Sequence, residues 1–479
     1  IVGLVTVKGG LTSHITLLAK SYKIPLLIGV SDLVFNTIKN NLANGSLNRD
    51  STVSISYDFI TENNQNNQII AKNLDLGFLN LQTTNFDYQQ ITAYQEQELL
   101  NNNKLITTFK EDAITLDKYK IFCYANISTI NDLSIANLNG SDGIGLCRTE
   151  LLFNSHIKPT LSEQINTYTN LFIENFKVSN NKNFVIRLFD PSYDKPLKYF
   201  MNIPADSLLN PVLGTRGIRL LLANKLILQE QLRSIVSIPI SLMNRNWRPD
   251  TNNVNLEYNI KILIPMLTSI NEYTIVREML DVLINELLDE RLDERLDERL
   301  DERLDGALTH QKLKNIFKFK LGVMIETPAS IFVAKLLAPL VDFFSVGSND
   351  LTQYILSSDR DITKYVDTPS SNDCIKQIDY NFTYYNPAIL HALKMLMDEA
   401  KLHHKPVSLC GQIASDSLII PLLIGLGISE LSMEVNAIGS NKNFIKTLSH
   451  AACLQDFTHC ASLMTGQAVY EYLKSKYYG

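Results

Sequence analysis

From Tyr119 onward the chain alternates short apolar runs with longer helical patterns, and this rhythm restricts the fold more than any other feature. Eight runs read as strands: residues 121–127, 143–151, 184–189, 260–267, 321–326, 343–346, 406–410 and 430–433. Helical stretches lie between them; in residues 211–235, Leu220, Leu222, Leu226 and Leu228 supply an apolar stripe. Strands alternating with helices predict an α/β fold with a parallel sheet. Eight such pairs over residues 119–479 predict a (β/α)8 barrel with additions, with an open doubly wound sheet as the alternative.

A barrel places its chemistry at the carboxyl ends of the strands, and the polar motifs cluster there. Arg148 stands near the end of the second run, Arg187 within the third, and Glu326 at the end of the fifth. Asn349 and Asp350 follow the sixth run, with Arg360 beyond them, and Cys410 ends the seventh. Glu326 and Asp350 are hard oxygen ligands of the kind Mg²⁺ takes together with substrate and water oxygens. Arginines clamp carboxylate and phosphate groups through paired donors. The set therefore predicts a small, multiply anionic substrate bound with a metal. Taken singly, each residue has a plainer reading, since strand-end Glu and Arg residues often form structural ion pairs and a lone Cys is often core.

Upstream, residues 1–75 read as part of a small α/β domain, with short β-like runs at 25–30 and 53–57. The chain opens on the apolar run Ile1-Val2-Gly3-Leu4-Val5, which reads as a strand entered midway and predicts a fragment or an N-terminally truncated product. Gly9-Gly10-Leu11-Thr12-Ser13-His14 puts a histidine in the first turn of a helix behind a glycine-rich loop. The helix dipole there favours a phosphate and disfavours imidazolium, leaving a ring nitrogen free to attack. His14 thus reads as a nucleophile able to carry a phosphoryl group; a capping loop with an incidental histidine reads the same six residues as well. Residues 76–118 read as a helical linker, and 119–479 as the barrel domain.

Within that domain, Leu-Asp-Glu-Arg recurs at 288, 292, 296 and 300, and Leu304-Asp305 begins a further copy. A period of four is near the helical one, so residues 288–305 read as an inserted, solvated helical projection. The net charge of −6 makes no electrostatic case for nucleic acid. No apolar run reaches ~18 residues, which predicts no membrane span, and the start lacks the charged region of a signal peptide. Six cysteines with no C-x-x-C indicate neither zinc nor a disulfide framework, and the cytoplasm is the expected location.

Several long motifs resemble a known family. Val5-Thr6-Val7-Lys8-Gly9-Gly10-Leu11-Thr12-Ser13-His14 is similar to the phosphohistidine signature of the phosphoenolpyruvate-utilising enzymes. Gly143-Ile144-Gly145-Leu146-Cys147-Arg148-Thr149-Glu150, Asn210-Pro211-Val212-Leu213-Gly214-Thr215-Arg216, Val323-Met324-Ile325-Glu326-Thr327-Pro328 and Ser345-Val346-Gly347-Ser348-Asn349-Asp350-Leu351-Thr352-Gln353-Tyr354 resemble Enzyme I of the sugar phosphotransferase system. Leu11, Pro191 and Gln412 depart from its pattern.

The resemblance implies autophosphorylation of His14 by phosphoenolpyruvate, with release of pyruvate and relay to the carrier protein HPr. It implies Mg²⁺ on Glu326 and Asp350, and substrate contacts from Arg148, Arg187, Lys195, Arg216, Asn349 and Arg360. Cys410 is implied as proton donor, and a homodimer through the barrel as the assembly. The resemblance implies that the HPr-docking part of that family would lie before Ile1, so transfer to HPr is not expected of these residues alone. A phosphoenolpyruvate-binding protein that is inactive or regulatory, unable to pass phosphate to HPr, is the alternative.

Overall fold

In a computed structural model, the described residues are 4–6, 26–28, 54–56, 78–80, 108–153, 157–178, 183–191, 199, 212–245, 247, 259–297, 318–358 and 384–478. The chain forms two compact units, residues 1–104 with 359–376, and residues 105–358 with 377–479.

In the first unit, β1 (Leu4–Thr6) pairs in parallel with β2 (Leu26–Ile28). β3 (Ser54–Ser56) pairs antiparallel with β4 (Phe78–Asn80). The runs read as β-like at the start of the chain and at 25–30 and 53–57 carry three of these strands.

The second unit holds the barrel. A short β5 (Ala113–Ile114) leads antiparallel into β6 (Lys120–Ile127). Then come β7 (Gly143–Arg148), β8 (Asn183–Arg187), β9 (Ile260–Ile264), β10 (Lys320–Ile325), β11 (Phe344–Gly347), β12 (Val407–Cys410) and β13 (Glu430–Glu434). Each strand from β6 pairs in parallel with the next, and β13 pairs with β6, Glu430 opposite Phe122 through Glu434 opposite Asn126. That last pairing closes the sheet into an eight-stranded barrel and excludes the open doubly wound sheet.

Alternation along the strands sorts side chains to two sides. Phe184 and Ile186 of β8 and Ile260, Ile262 and Ile264 of β9 join the large apolar layer beneath the outer helices. Leu146, Val185, Leu263, Met324, Phe343 and Cys410 form a separate inner cluster that fills the barrel. Counting on by two from Val185 and Met324, Arg187 and Glu326 point inward at the carboxyl mouth. The sequence pattern thus decides which polar groups reach the mouth.

Several runs end as strands earlier than the sequence reading, among them 184–189 at Arg187, 260–267 at Ile264 and 143–151 at Arg148, and the last has consequences for the mouth. The run 143–151 stops as a strand at Arg148, and Thr149–Leu152 turns into a short helix. The turn lets the Thr149 hydroxyl reach the Arg187 carbonyl at 2.8 Å and sets Glu150 beside Arg187. A continued strand would alternate these two side chains to opposite sides.

The Leu-Asp-Glu-Arg repeat begins inside a helix. Ile270–Asp297 runs unbroken through its first two copies and into the third, and the rest lies outside the described residues. Leu287 and Leu288 are still buried, and Arg233 holds Glu286 at 3.2 Å and Glu290 at 2.6 Å. Leu288, the first residue of the repeat, is therefore packed, while Asp289 and Glu290 after it are exposed.

The barrel seam between β13, β6 and β7 is tight at Gly145. A Cβ there would lie 2.3 Å from Ser432 Oγ and 2.7 Å from Tyr124 Cβ. Gly145→Ala is predicted to destabilise the chain by about 2 kcal/mol through overpacking, and Gly145→Val by more. Urea titration measures both; unchanged midpoints would show that the seam yields.

Candidate active site

The carboxyl mouth is built on a buried row of alternating charges. β8 ends in Arg187, followed by Leu188, Phe189 and Asp190, all almost fully buried. Arg187 Nη2 donates to Glu150 Oε1 at 2.5 Å, and its Nη1 lies 3.4 Å from Asp190 Oδ2. Asp190 takes a two-point contact from Arg216, Nη2 to Oδ2 at 2.8 Å and Nε to Oδ1 at 3.3 Å. Arg216 Nη1 then donates to Asp350 Oδ1 at 3.1 Å. Glu150, Arg187, Asp190, Arg216 and Asp350 thus alternate in sign across the mouth.

The inner members of the row, Arg187, Asp190 and Arg216, are held in their ionised forms by their neighbours. Burial works against ionisation of Asp190, but Arg216 and Arg187 outweigh it and hold the carboxyl below its usual range. Burial likewise opposes the Arg187 cation, and Glu150 and Asp190 more than offset it.

Glu326 is the exception. Local structure fixes it firmly: β10 ends at Ile325, and Thr327 begins the next helix, Pro328–Phe332, with a capping box. Thr327 Oγ1 accepts from the Ser330 N–H at 3.1 Å and donates to the Leu267 carbonyl at 2.8 Å. Glu326 Oε1 accepts from the Met266 N–H at 2.6 Å. Met266 has φ of 54°, a left-handed conformation that costs a non-glycine residue ~1–3 kcal/mol. Glu326 Oε2 is buried with no hydrogen-bond partner among the described residues. Burial, then the charges of Asp350 and Asp190, push this carboxyl up to about 8, only partly countered by Arg187 and Arg216.

An orphaned buried carboxylate oxygen close to a second carboxylate suits a divalent cation that takes its other ligands from substrate and water. No group of three or more His, Cys, Asp or Glu that could hold a metal occurs among the described residues, so Glu326 and Asp350 would supply only part of such a shell.

Cys410 ends β12 on the same inner face. Its Sγ donates to the Val346 carbonyl at 3.2 Å. Burial pushes the thiol up to about 11, despite the pull of Arg148 and Arg187, so it carries its proton at neutral pH. Gly411 follows with φ of 103°, and a Cβ there would sit 2.3 Å from Ser348 Oγ. This close approach lets Ser348 Oγ donate to the Cys410 carbonyl at 2.7 Å and the Gln412 N–H donate to Asn349 Oδ1 at 3.1 Å. The thiol-bearing loop and the Asn349–Asp350 turn are therefore one piece.

Arg187, Arg216, Glu326, Asp350 and Cys410 come together, with Arg148 near enough to act on the Cys410 thiol and Asn349 tied to its loop. His14, Lys195 and Arg360 lie outside the described residues. Glu150 and Asp190 were missed from the sequence, although Asp190 falls three residues after Arg187 and Glu150 two after Arg148. The Met266 N–H carries no signal in its residue type.

With this geometry in view, comparison with known proteins is direct. Residues 103–450 match the PEP-binding domain of the PEP-utilising enzymes, and residues 1–55 match their mobile domain. The chain belongs to the PEP-utilising enzyme family. It is 32% identical over 447 residues to the phosphoenolpyruvate-protein phosphotransferase of Buchnera aphidicola subsp. Baizongia pistaciae, covering 93% of this chain and 63% of that one. It is 29% identical over 477 residues to the enzyme of the same name from Listeria innocua, covering 99% and 68%. The chain therefore spans about two thirds of the length of the curated relatives it matches. Among solved structures, an HpcH/HpaI aldolase from Desulfitobacterium hafniense shows only a slight likeness, with TM-score 0.32 and 10% identity over 71% of this chain and 93% of that one.

The raised Glu326 carboxyl has a consequence for stability. Between its ordinary value of 4.5 and about 8, the folded chain holds a proton that the unfolded chain has lost. Stability from this group is therefore lost as pH rises through that window. Glu326→Gln has no such proton to lose. Without added metal, its Tm is predicted to gain on the unsubstituted chain by roughly 3 °C between pH 5 and pH 8. A gap that stays constant with pH would refute the raised value.

Proposed function

We propose that the chain is a phosphoenolpyruvate-protein phosphotransferase that phosphorylates itself on His14, releases pyruvate and passes the phosphoryl group to a histidine of the carrier HPr. The observation that carries this reading is the buried mouth, where arginines, four carboxyl groups and a protonated thiol converge. The names of the curated relatives agree with it, as does the match of residues 1–55 to a mobile domain.

Phosphoenolpyruvate brings a phosphate and a carboxylate. In this reading Arg148, Arg187, Arg216 and Arg360 bind them, with Lys195 and Asn349 assisting. Glu326 and Asp350 would hold Mg²⁺, which would supply neutralisation of the phosphate charge. An imidazole nitrogen of His14 attacks phosphorus in line, and the bond from phosphorus to the enol oxygen breaks. The enolpyruvate carbon then takes the proton of Cys410 Sγ, giving pyruvate and a thiolate that water reprotonates. A thiol held up at about 11 keeps its proton until a carbon base demands it.

A second copy docked on the outer helices completes the proposal. Phe332, Leu336 and Leu340 stand exposed there, and sedimentation of the chain tests the dimer. The described cysteines are all free thiols, which suits a reducing cytoplasm.

Two measurements test the chemistry. Phosphoenolpyruvate labelled at phosphorus, given with Mg²⁺, is expected to leave acid-labile label on the chain and none on His14→Ala. Binding without label would support the inactive, regulatory reading instead. Cys410→Ala is expected to bind phosphoenolpyruvate normally but to form pyruvate at least ~10²-fold more slowly.

A further inference from the structure

The backbone of β8 outruns its neighbour. On the β9 side the ladder continues past Arg187, with the Leu188 N–H donating to the Leu263 carbonyl at 2.9 Å. On the other side β7 has already turned into the helix Thr149–Leu152. The Arg187 carbonyl and the Phe189 N–H both face this gap. Buried backbone groups without partners cost several kcal/mol in a medium that lacks hydrogen bonds.

Two side chains stand in for the missing strand. Thr149 Oγ1 donates to the Arg187 carbonyl at 2.8 Å. Gln231, wholly buried on the helix Lys225–Val236, accepts the Phe189 N–H on Oε1 at 2.9 Å. Its Nε2 donates to Thr149 Oγ1 and to Tyr168 Oη, each at 3.2 Å. One amide thus joins β8, the Thr149 turn and the helix Leu161–Val178. Among the described residues its amide hydrogen-bonds to none of the charged groups of the mouth.

We propose that Gln231 is a positioning residue for the charged mouth. Through Thr149 and the Phe189 N–H it extends β8 beyond the end of β7, and so fixes where Arg187 and Asp190 stand. Arg187 lies two residues before Phe189 and Asp190 one after it, so both ends of the stretch that Gln231 pins carry members of the charge row. A leucine at 231 would fill the space but leave the Phe189 N–H and the Thr149 hydroxyl without this partner. The backbone would then shift to recover them, taking both charged side chains with it. The consequence for substrate rests on the phosphoenolpyruvate reading above; the backbone consequence does not.

The test uses Gln231→Leu, Thr149→Val and the conservative Thr149→Ser, each in the full chain. Amide exchange at Phe189 is read against Leu188, whose own bond runs to β9. Gln231→Leu is expected to speed Phe189 exchange at least tenfold while Leu188 is unchanged, and to weaken phosphoenolpyruvate binding with Mg²⁺ roughly tenfold in calorimetry. Thr149→Val is expected to weaken binding similarly, and Thr149→Ser to restore it to within about twofold. A lower Tm in Gln231→Leu with both the exchange ratio and the affinity unchanged would overturn the proposal, since a merely structural glutamine would give that pattern. Should the unsubstituted chain bind no phosphoenolpyruvate, the reading of the site fails on its own, and the Phe189-to-Leu188 exchange ratio decides the role of Gln231.

Discussion

The mouth of the barrel depends on the two-point contact between Arg216 and Asp190. Remove it, and among the described ion pairs Asp190 would keep only the longer Arg187 contact and Arg216 only that to Asp350. Buried ion pairs gain little over an apolar core, because taking both charges from water costs about what their attraction returns. Their presence is thus poor evidence for stability and better evidence for use. The row runs from Glu150 to Asp350 with its sign alternating throughout, so five charged side chains are held at fixed spacing across the mouth. Preorganisation of this kind lets a site act without rearranging its dipoles at the moment of reaction.

The surrounding fold explains why the row can be fixed so closely. Four of its members sit at or just after strand ends: Arg187 is the last residue of β8, Glu150 follows β7, Asp190 follows β8 and Asp350 follows β11. Closure of β13 onto β6 leaves no free edge along which these ends could slide. Below them the inner apolar cluster blocks the barrel, so each strand presents its final inward side chain upward. The polar backbone just beyond the strands is what remains to be satisfied, and side chains such as Thr149, Gln231 and Ser348 do so.

Much of this was legible in the sequence, and the reason is periodicity. Runs such as Ile260–Ile264 and Val407–Cys410 alternate or stay apolar over four to five residues, which marks strands and therefore strand ends. Arg148, Arg187, Glu326, Asp350 and Cys410 could be placed at the mouth on that ground alone. The Thr149–Leu152 helix could not, because its four residues are too short to show a period and follow directly on an apolar run. Gln231 was hidden for a different reason. It reads as an ordinary polar position on an amphipathic helix, and only the tertiary fold shows that it points inward to a backbone that has lost its neighbour. Glu150 and Asp190 fall between these cases, near arginines in the chain but paired through space.

Cys410 and Glu326 show how one physical cause yields two kinds of group. Burial raises both. For a thiol the raised value favours its neutral form, which the interior tolerates, so Cys410 rests as a stable acid that needs only the Val346 carbonyl. For a carboxyl the neutral form is a compromise, because Glu326 is also held by a strained Met266 N–H that favours the anion and leaves Oε2 with no partner. The two residues are therefore not interchangeable. Cys410 has its partner, whereas Glu326 keeps one oxygen without a partner among the described residues beside backbone support already assembled, and positive charge arriving at the mouth would favour the Glu326 carboxylate and leave the thiol protonated.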